Sequence, residues 1–185
     1  MTTALAPDAT QTTEPAQGWW AARFGGLPRT FWVLFTGIGL ARLGFFVVPF
    51  LGYWLTVDRG LNPAQIGVVM TSFGAGWALS MPIGGWLADR LGRRTVIIAS
   101  ALGAASAYLA LGAVHGYGPL IATAFFVGAT FDLYRPAVQA AMTDAVDPEG
   151  RGRALGLLYL VMNASRMLSC ALGGLLAERA FGALF

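Results

Sequence analysis

Gly84-Gly85-Trp86-Leu87-Ala88-Asp89-Arg90-Leu91-Gly92-Arg93-Arg94 places four charged side chains, Asp89, Arg90, Arg93 and Arg94, between two long apolar runs. The run before them begins after Pro63 and reaches Ala88, and the run after them continues to about Val114. Each exceeds the ~20 residues that a helix needs to cross the hydrocarbon of a bilayer. Almost no loop separates the two, so the chain must reverse sharply. Gly92 supplies the unrestricted backbone for that turn, and the arginines can remain among headgroups and water. The stretch therefore reads as a charged elbow between two membrane-spanning helices.

Composition agrees. Charged residues make up 11% of the chain, against about 25% in ordinary soluble domains, and 56% of residues are hydrophobic. The net charge of +3 comes from twelve basic residues, all arginine, against nine acids. Apolar spans interrupt these arginines, so they form no continuous basic face and nucleic acid is not an expected partner. Cys170 is the single cysteine; it excludes an internal disulfide and reads as a small packing residue. Residues 1 to about 18, rich in Thr, Ala, Pro and Gln, read as a disordered tail rather than a signal peptide, which needs a basic start and an early apolar stretch.

The pattern places helices at roughly 31–55, 63–88, 94–114, 118–142 and 153–177, preceded by a tail over residues 1–30. Positive residues concentrate on the cytoplasmic side of membrane proteins. With the tail inside, Arg23, Arg29, Arg90, Arg93, Arg94, Arg151 and Arg153 are cytoplasmic and only Arg59 and Arg179 face out. The expectation is a multi-pass protein of the inner, cytoplasmic membrane with a cytoplasmic N-terminus. Asn62-Pro63-Ala64-Gln65 reads as an N-cap, a proline at the first helical position and a Gln that closes a capping box. Asp147-Pro148-Glu149 repeats the cap-and-proline pattern before the fifth helix. Pro49, Pro82 and Pro136 fall inside spans, where each removes a backbone hydrogen bond and favours a kink.

The elbow resembles the G-x-x-x-D-R-x-G-R-R/K loop, motif A, which joins the second and third helices of major facilitator superfamily transporters. Its positions here are Gly85, Asp89, Arg90, Gly92, Arg93 and Arg94. Arg135-Pro136-Ala137-Val138-Gln139-Ala140-Ala141, followed by Asp144, Pro148, Glu149, Arg151, Arg153, Ala154 and Gly156, is similar to the helix 4 to helix 5 region of the drug-efflux branch. Leu43-Gly44-Phe45-Phe46-Val47-Val48-Pro49-Phe50 resembles the first helix of that branch. The resemblance covers about residues 30 to 178. It implies an all-α membrane protein, helices 1–5 of a six-helix N-terminal bundle over residues 31–185, incomplete without a sixth helix and a second half. It also implies a network of Asp89, Arg93 and Asp144 that latches the cytoplasmic side, with Asp144 as the acid at the end of helix 4. The antiporter signature of helix 5 normally ends Gly-Pro-x-x-Gly-Gly, whereas Ser169-Cys170-Ala171-Leu172-Gly173-Gly174 stands here. Arg166 occupies a position where a small or apolar residue is expected, so proton antiport does not carry over from that motif. Gly156, Gly173 and Gly174 still allow close helix approach.

Charges inside spans point to mechanism. An arginine at mid-membrane costs ~2.5–3.5 kcal/mol even on a lenient insertion scale, so Arg42, Arg135 and Arg166 call for an aqueous cavity, ion pairs or both. At ~1.5 Å per residue, Arg42 lies ~17 Å and Asp132 ~15 Å from the cytoplasmic ends of antiparallel helices 1 and 4. In the resembled fold both helices line the central cavity. An Arg42–Asp132 pair is therefore expected, with Arg135 one turn away on the same face as Asp132. Asp132 is the one carboxylate within these spans and the candidate proton carrier; a permanent structural ion pair is the alternative. The excess of arginine leaves two further readings, an anionic substrate or balancing acids elsewhere.

Other chemistry finds no support. Asn163-Ala164-Ser165 matches a glycosylation sequon but falls within helix 5. His115 is the sole histidine, so no histidine-based metal cluster or catalytic triad can be built, and the chain contains no P-loop. No enzyme activity, metal or cofactor is expected. The expected partners are the lipid bilayer, a small-molecule substrate and the missing C-terminal half of the same transporter. The reading is the N-terminal part of a secondary active carrier working by alternating access, with efflux favoured and proton coupling open. An uptake or exchange carrier for an anionic metabolite is one alternative, and a membrane assembly subunit without transport is another.

Overall fold

The computed structural model describes residues 25–180, and every regular element among them is helical. The expected disordered tail over 1–18, and Arg23, lie outside the described residues. From the N-terminal side the elements are α1 (Arg29–Leu43), a 3₁₀ turn (Gly44–Phe46), α2 (Val47–Val57), α3 (Pro63–Leu91), α4 (Arg93–Ala113), α5 (Tyr117–Phe131), α6 (Arg135–Asp144), a second 3₁₀ turn (Pro148–Gly150) and α7 (Arg151–Ala180). Four rods, Arg29–Val57, α3, α4 and the stretch Pro148–Leu175, are each long and apolar enough to cross a membrane. The fifth path, α5 with α6, runs in two pieces.

Local chemistry sets these boundaries. Asn62 caps α3 by accepting from the Gln65 N–H at 2.9 Å, and the Gln65 side chain accepts from the Asn62 N–H at 3.1 Å. Asp147 makes no side-chain cap; Pro148 opens a 3₁₀ turn there instead. Gly92, at φ 85°, both ends α3 and starts α4. That is the elbow conformation only glycine adopts without strain.

The three intrahelical prolines act differently. Pro82 leaves α3 continuous. Pro49 has no N–H to offer the Phe45 carbonyl one turn back, and the chain tightens into the 3₁₀ turn there. Pro136 removes the donor that would reach the Asp132 carbonyl and its ring crowds that oxygen. The helix expected over 118–142 accordingly breaks: Asp132 leaves helical geometry at φ −117°, ψ 14°, and α6 restarts at Arg135.

Close packing is carried by α3 against α5. On α3, Gly76, Ser80 and Gly84 recur every fourth residue and are buried; Ala124 and Gly128 on α5, and Asp132 just past its end, do the same. A Cβ at Gly76 would run into the Phe125 carbonyl, one at Gly128 into the Phe73 carbonyl, and one at Gly84 into the Leu133 carbonyl. Small residues at this spacing let backbones touch where lipid offers no hydrophobic drive to associate. Gly156 and Gly174, expected to serve close approach, face open space.

Two apolar clusters result. Phe31, Ile38, Val138, Met142, Leu158 and neighbours fill the end of the bundle that carries the elbow. Leu51, Leu55, Val69, Phe73, Leu111 and Val127 fill the opposite end. Outside, Leu109, Met167 and Leu40 are 77%, 75% and 70% exposed, alongside many other large apolar side chains. An apolar outer surface this extensive suits lipid rather than water.

Candidate functional site

A polar layer lies between the two apolar clusters, at the height where both broken rods lose their helical hydrogen bonds. Arg42 is the last residue but one of α1, and Asp132 follows α5 directly. One Arg42 terminal nitrogen donates to Asp132 Oδ1 at 2.5 Å, and both residues are almost wholly buried, at 4% and 1% exposure. The Trp77 indole N–H of α3 donates to Asp132 Oδ2 at 3.0 Å. Arg135 approaches the same oxygen at 3.5 Å from one turn further along. The structure thus brings together Arg42, Asp132 and Arg135 and adds Trp77.

Each member owes its place to a local cause. Asp132 continues the Ala124, Gly128 stripe, so its side chain meets α3 where Trp77 stands. Removing a carboxylate from water costs several kcal/mol, of the order that only paired, hydrogen-bonded geometry offsets; two hydrogen bonds, from Arg42 and Trp77, and the nearby Arg135 cation supply that here. Aromatic faces complete the lining. The Arg42 guanidinium lies 5.7 Å from both the Phe131 and Tyr134 rings, and Phe131 also meets Phe45, Phe73 and Trp77 at 5.9, 5.9 and 6.1 Å. Quadrupole attraction from such faces stabilises a desolvated cation. The cluster carries two guanidinium groups and one carboxylate, and the Nε atoms of Arg42 and Arg135 have no protein acceptor.

The break in the first rod has its own support. The Leu43 carbonyl accepts from Ser169 Oγ of α7 at 2.7 Å. In a bilayer a freed carbonyl needs such a partner. Ser169 therefore satisfies the backbone beside Arg42, a role that its position in the altered helix 5 motif gave no hint of. Arg166 does not join the cluster. Its guanidinium lies 4.4 Å from the Phe45 ring and the residue is exposed. Cys170 is exposed as well, not packed inside.

At the elbow, Arg93 and Asp144 form an ion pair linking α4 to the end of α6. Asp89 is exposed and takes part in no ion pair or hydrogen bond among the described residues, so one link of the three-residue network is formed. Arg90 stacks 4.3 Å from the Trp86 ring, and Arg94 is exposed. Gly85 has open space where a Cβ would stand; its neighbour Gly84 is the one pressed against a backbone. Arg151 donates to the Thr143 carbonyl at 3.1 Å, and Arg153 to the Gly25 carbonyl at 3.0 Å, tying the start of α7 to its surroundings.

The sequence is similar to those of known proteins. The family model described as Major Facilitator Superfamily matches residues 34–185. The quinolone resistance protein NorA of Staphylococcus aureus (strain MRSA252) is 25% identical over 146 residues, covering 79% of this chain and 36% of that protein. Solute carrier family 67 member A1 of Homo sapiens is 32% identical over 174 residues, 88% of this chain and 39% of its own length. The chain therefore spans little more than a third of these relatives. Antiparallel apolar rods, the Asp89–Arg94 elbow and the family match over most of its length lead to one assignment: this multi-pass membrane protein belongs to the major facilitator superfamily.

Proposed function

We propose that the protein forms the N-terminal part of a secondary active transporter that exports a small organic molecule by alternating access. The observation that carries this is the buried Arg42–Asp132 pair, placed where two rods are interrupted. A rod whose backbone ladder is already open can bend there at little further cost, and the ion pair and the Trp77 bond hold it meanwhile. Asp132 is the group through which proton coupling would act, since it is the one buried carboxylate among the described residues and stands between two guanidinium groups. The name of one relative, a quinolone resistance protein, favours an aromatic drug as cargo. In this reading the elbow and the N-terminus face the cytoplasm of a cell membrane, and the Arg93–Asp144 pair helps to close that side.

Accumulation of a fluorescent quinolone tests this reading in cells expressing the protein with whatever polypeptide completes it. Lower accumulation than in cells without it, reversed when the proton gradient is collapsed, supports export. Equal accumulation contradicts export of that class. The surplus guanidinium charge favours a second reading, exchange of an anionic metabolite, which counterflow of radiolabelled carboxylates into liposomes would detect.

A further inference from the structure

The interruption of the first rod is a change of hydrogen-bond register rather than a loose joint. In an unbroken helix the Leu43 carbonyl would accept from the Val47 N–H one turn on. Across the 3₁₀ turn the Val47 N–H points instead to the Gly44 and Phe45 carbonyls, and the Leu43 carbonyl takes its hydrogen bond from Ser169 Oγ of α7. Ser169 is fully buried. A serine hydroxyl in a helix ordinarily bonds back to a carbonyl of its own helix, as those of Ser80, Ser100 and Ser106 do; that of Ser169 reaches across to another. One turn earlier on the same seam, a Cβ at Gly39 would stand 3.2 Å from Val161 and 3.6 Å from the Ser165 hydroxyl, so α1 and α7 meet closely there.

We propose that Ser169 is a positioning residue for Arg42, acting through a first rod with two states: one interrupted and held by the Ser169 hydroxyl, the other a continuous α-helix. A carbonyl can accept two hydrogen bonds, so the hydroxyl does not forbid the continuous state; it serves the carbonyl that only the interrupted state leaves without a backbone donor. In a bilayer that oxygen has no water to turn to. Without the hydroxyl the balance tips to the continuous state, in which Val47 serves Leu43. Pro49 has no N–H in either state, so the proline does not choose between them. Passing from three 3₁₀ residues to three α residues removes about 20° of winding at each, about 60° in all, and shortens the rod by about 1.5 Å. The far end of α2 is tied down: Arg59, just past it, donates to the Gly112 carbonyl of α4 at 3.0 Å, and Leu51, Trp54 and Leu55 are buried. It is therefore α1 that turns, and Arg42, its last residue but one, is carried away from Asp132. Because α7 supplies the hydroxyl, a slide of α7 along α1 has the same effect and links that helix to the charged layer. The proposal goes beyond the carrier reading and does not depend on what is carried.

Nuclear magnetic resonance of the purified full chain in detergent micelles tests it. Phe precedes Val in the sequence at Phe46-Val47 and Phe126-Val127 alone, so labelling with carbonyl-¹³C Phe and ¹⁵N Val leaves the Val47 and Val127 amides in a carbonyl-edited spectrum, with Val127 of α5 as the reference. In a second sample, ¹⁵N Trp reports the Trp77 indole N–H, which shares Asp132 with Arg42 and is identified by Trp77→Phe. Ser169→Ala is expected to move the Val47 signal by several line widths and the Trp77 indole signal with it, while Val127 stays. Ser169→Thr keeps the hydroxyl and should return both signals to their wild-type positions. Ser72→Ala removes another bond between helices, to the Ile121 carbonyl at 2.9 Å, and should leave Val47 where it was. A Val47 signal unmoved by Ser169→Ala, or moved equally by Ser72→Ala, overturns the two-state rod. A Val47 signal that moves while the Trp77 indole stays overturns the positioning of Arg42.

Discussion

At the scale of single residues, burial decides which ion pair matters. Arg42 and Asp132 have no water to fall back on, so removing one partner strands the other's charge. Arg42→Gln is predicted to lower stability by about 3–5 kcal/mol, and the double variant Arg42→Gln, Asp132→Asn to regain much of that loss in thermal unfolding. Additive losses would show that the two side chains do not act as a pair. The Arg93 and Asp144 side chains are 42% and 58% exposed, where such pairs contribute about 1 kcal/mol or less. Arg93→Ala should therefore leave the unfolding temperature nearly unchanged, and a large drop would contradict the weak-pair reading. The matching depth of Arg42 and Asp132 is legible from the sequence, because rise per residue and antiparallel order fix it. Trp77 is not, because its contact depends on how α3 is rotated about its own axis, which sequence spacing in α1 and α5 does not determine. Asp89 shows the same limit: the motif names the residue, while its exposed orientation leaves it outside the pair that forms.

At the scale of elements, two kinds of residue shape the rods, prolines that open them and glycines that press them together. Pro49, Pro82 and Pro136 look alike in the sequence, yet one tightens a turn, one leaves its helix whole and one breaks it. The two breaks are supported differently: beside the first, Ser169 donates to the Leu43 carbonyl, and at the second the chain turns at Asp132 with the Arg135 N–H donating to its carbonyl at 3.0 Å. Pro136→Ala is predicted to let α5 run into α6, drawing Asp132 into helical geometry and weakening its bond to Trp77. Indole fluorescence of a variant retaining Trp77 alone would register the change, and an unaltered spectrum would argue against the proline as cause of the break. The glycine stripe was readable at its four-residue spacing, although sequence similarity drew attention to Gly156, Gly173 and Gly174 instead. Gly76→Ala or Gly128→Ala should cost about 1–3 kcal/mol through overpacking, whereas Gly85→Ala, with open space at its Cβ, should be tolerated. Equal effects at Gly76 and Gly85 in the same melting assay would refute the close-packed interface.

At the scale of the whole molecule, the five rods form two apolar clusters with a charged layer between, and the elbow sits at one end of the bundle. In the proposed topology, argued from the distribution of arginine, that end is cytoplasmic. In a Cys170→Ser background, Arg94→Cys should react with a membrane-impermeant maleimide only after cells are opened, and His115→Cys, at the opposite end, in intact cells. The reverse pattern would invert the topology. The rods and their order were legible because hydrophobic length is a coarse signal that survives errors of a few residues. The interrupted fifth path was not, since apolar content says nothing about backbone continuity. In the proposed carrier the charged layer takes part in coupling rather than only bracing the bundle. Flux through Asp132→Asn protein in liposomes, with and without an imposed pH gradient, measures this most directly: the account predicts that the variant still exchanges substrate but loses its response to the gradient, and an unchanged response would contradict it.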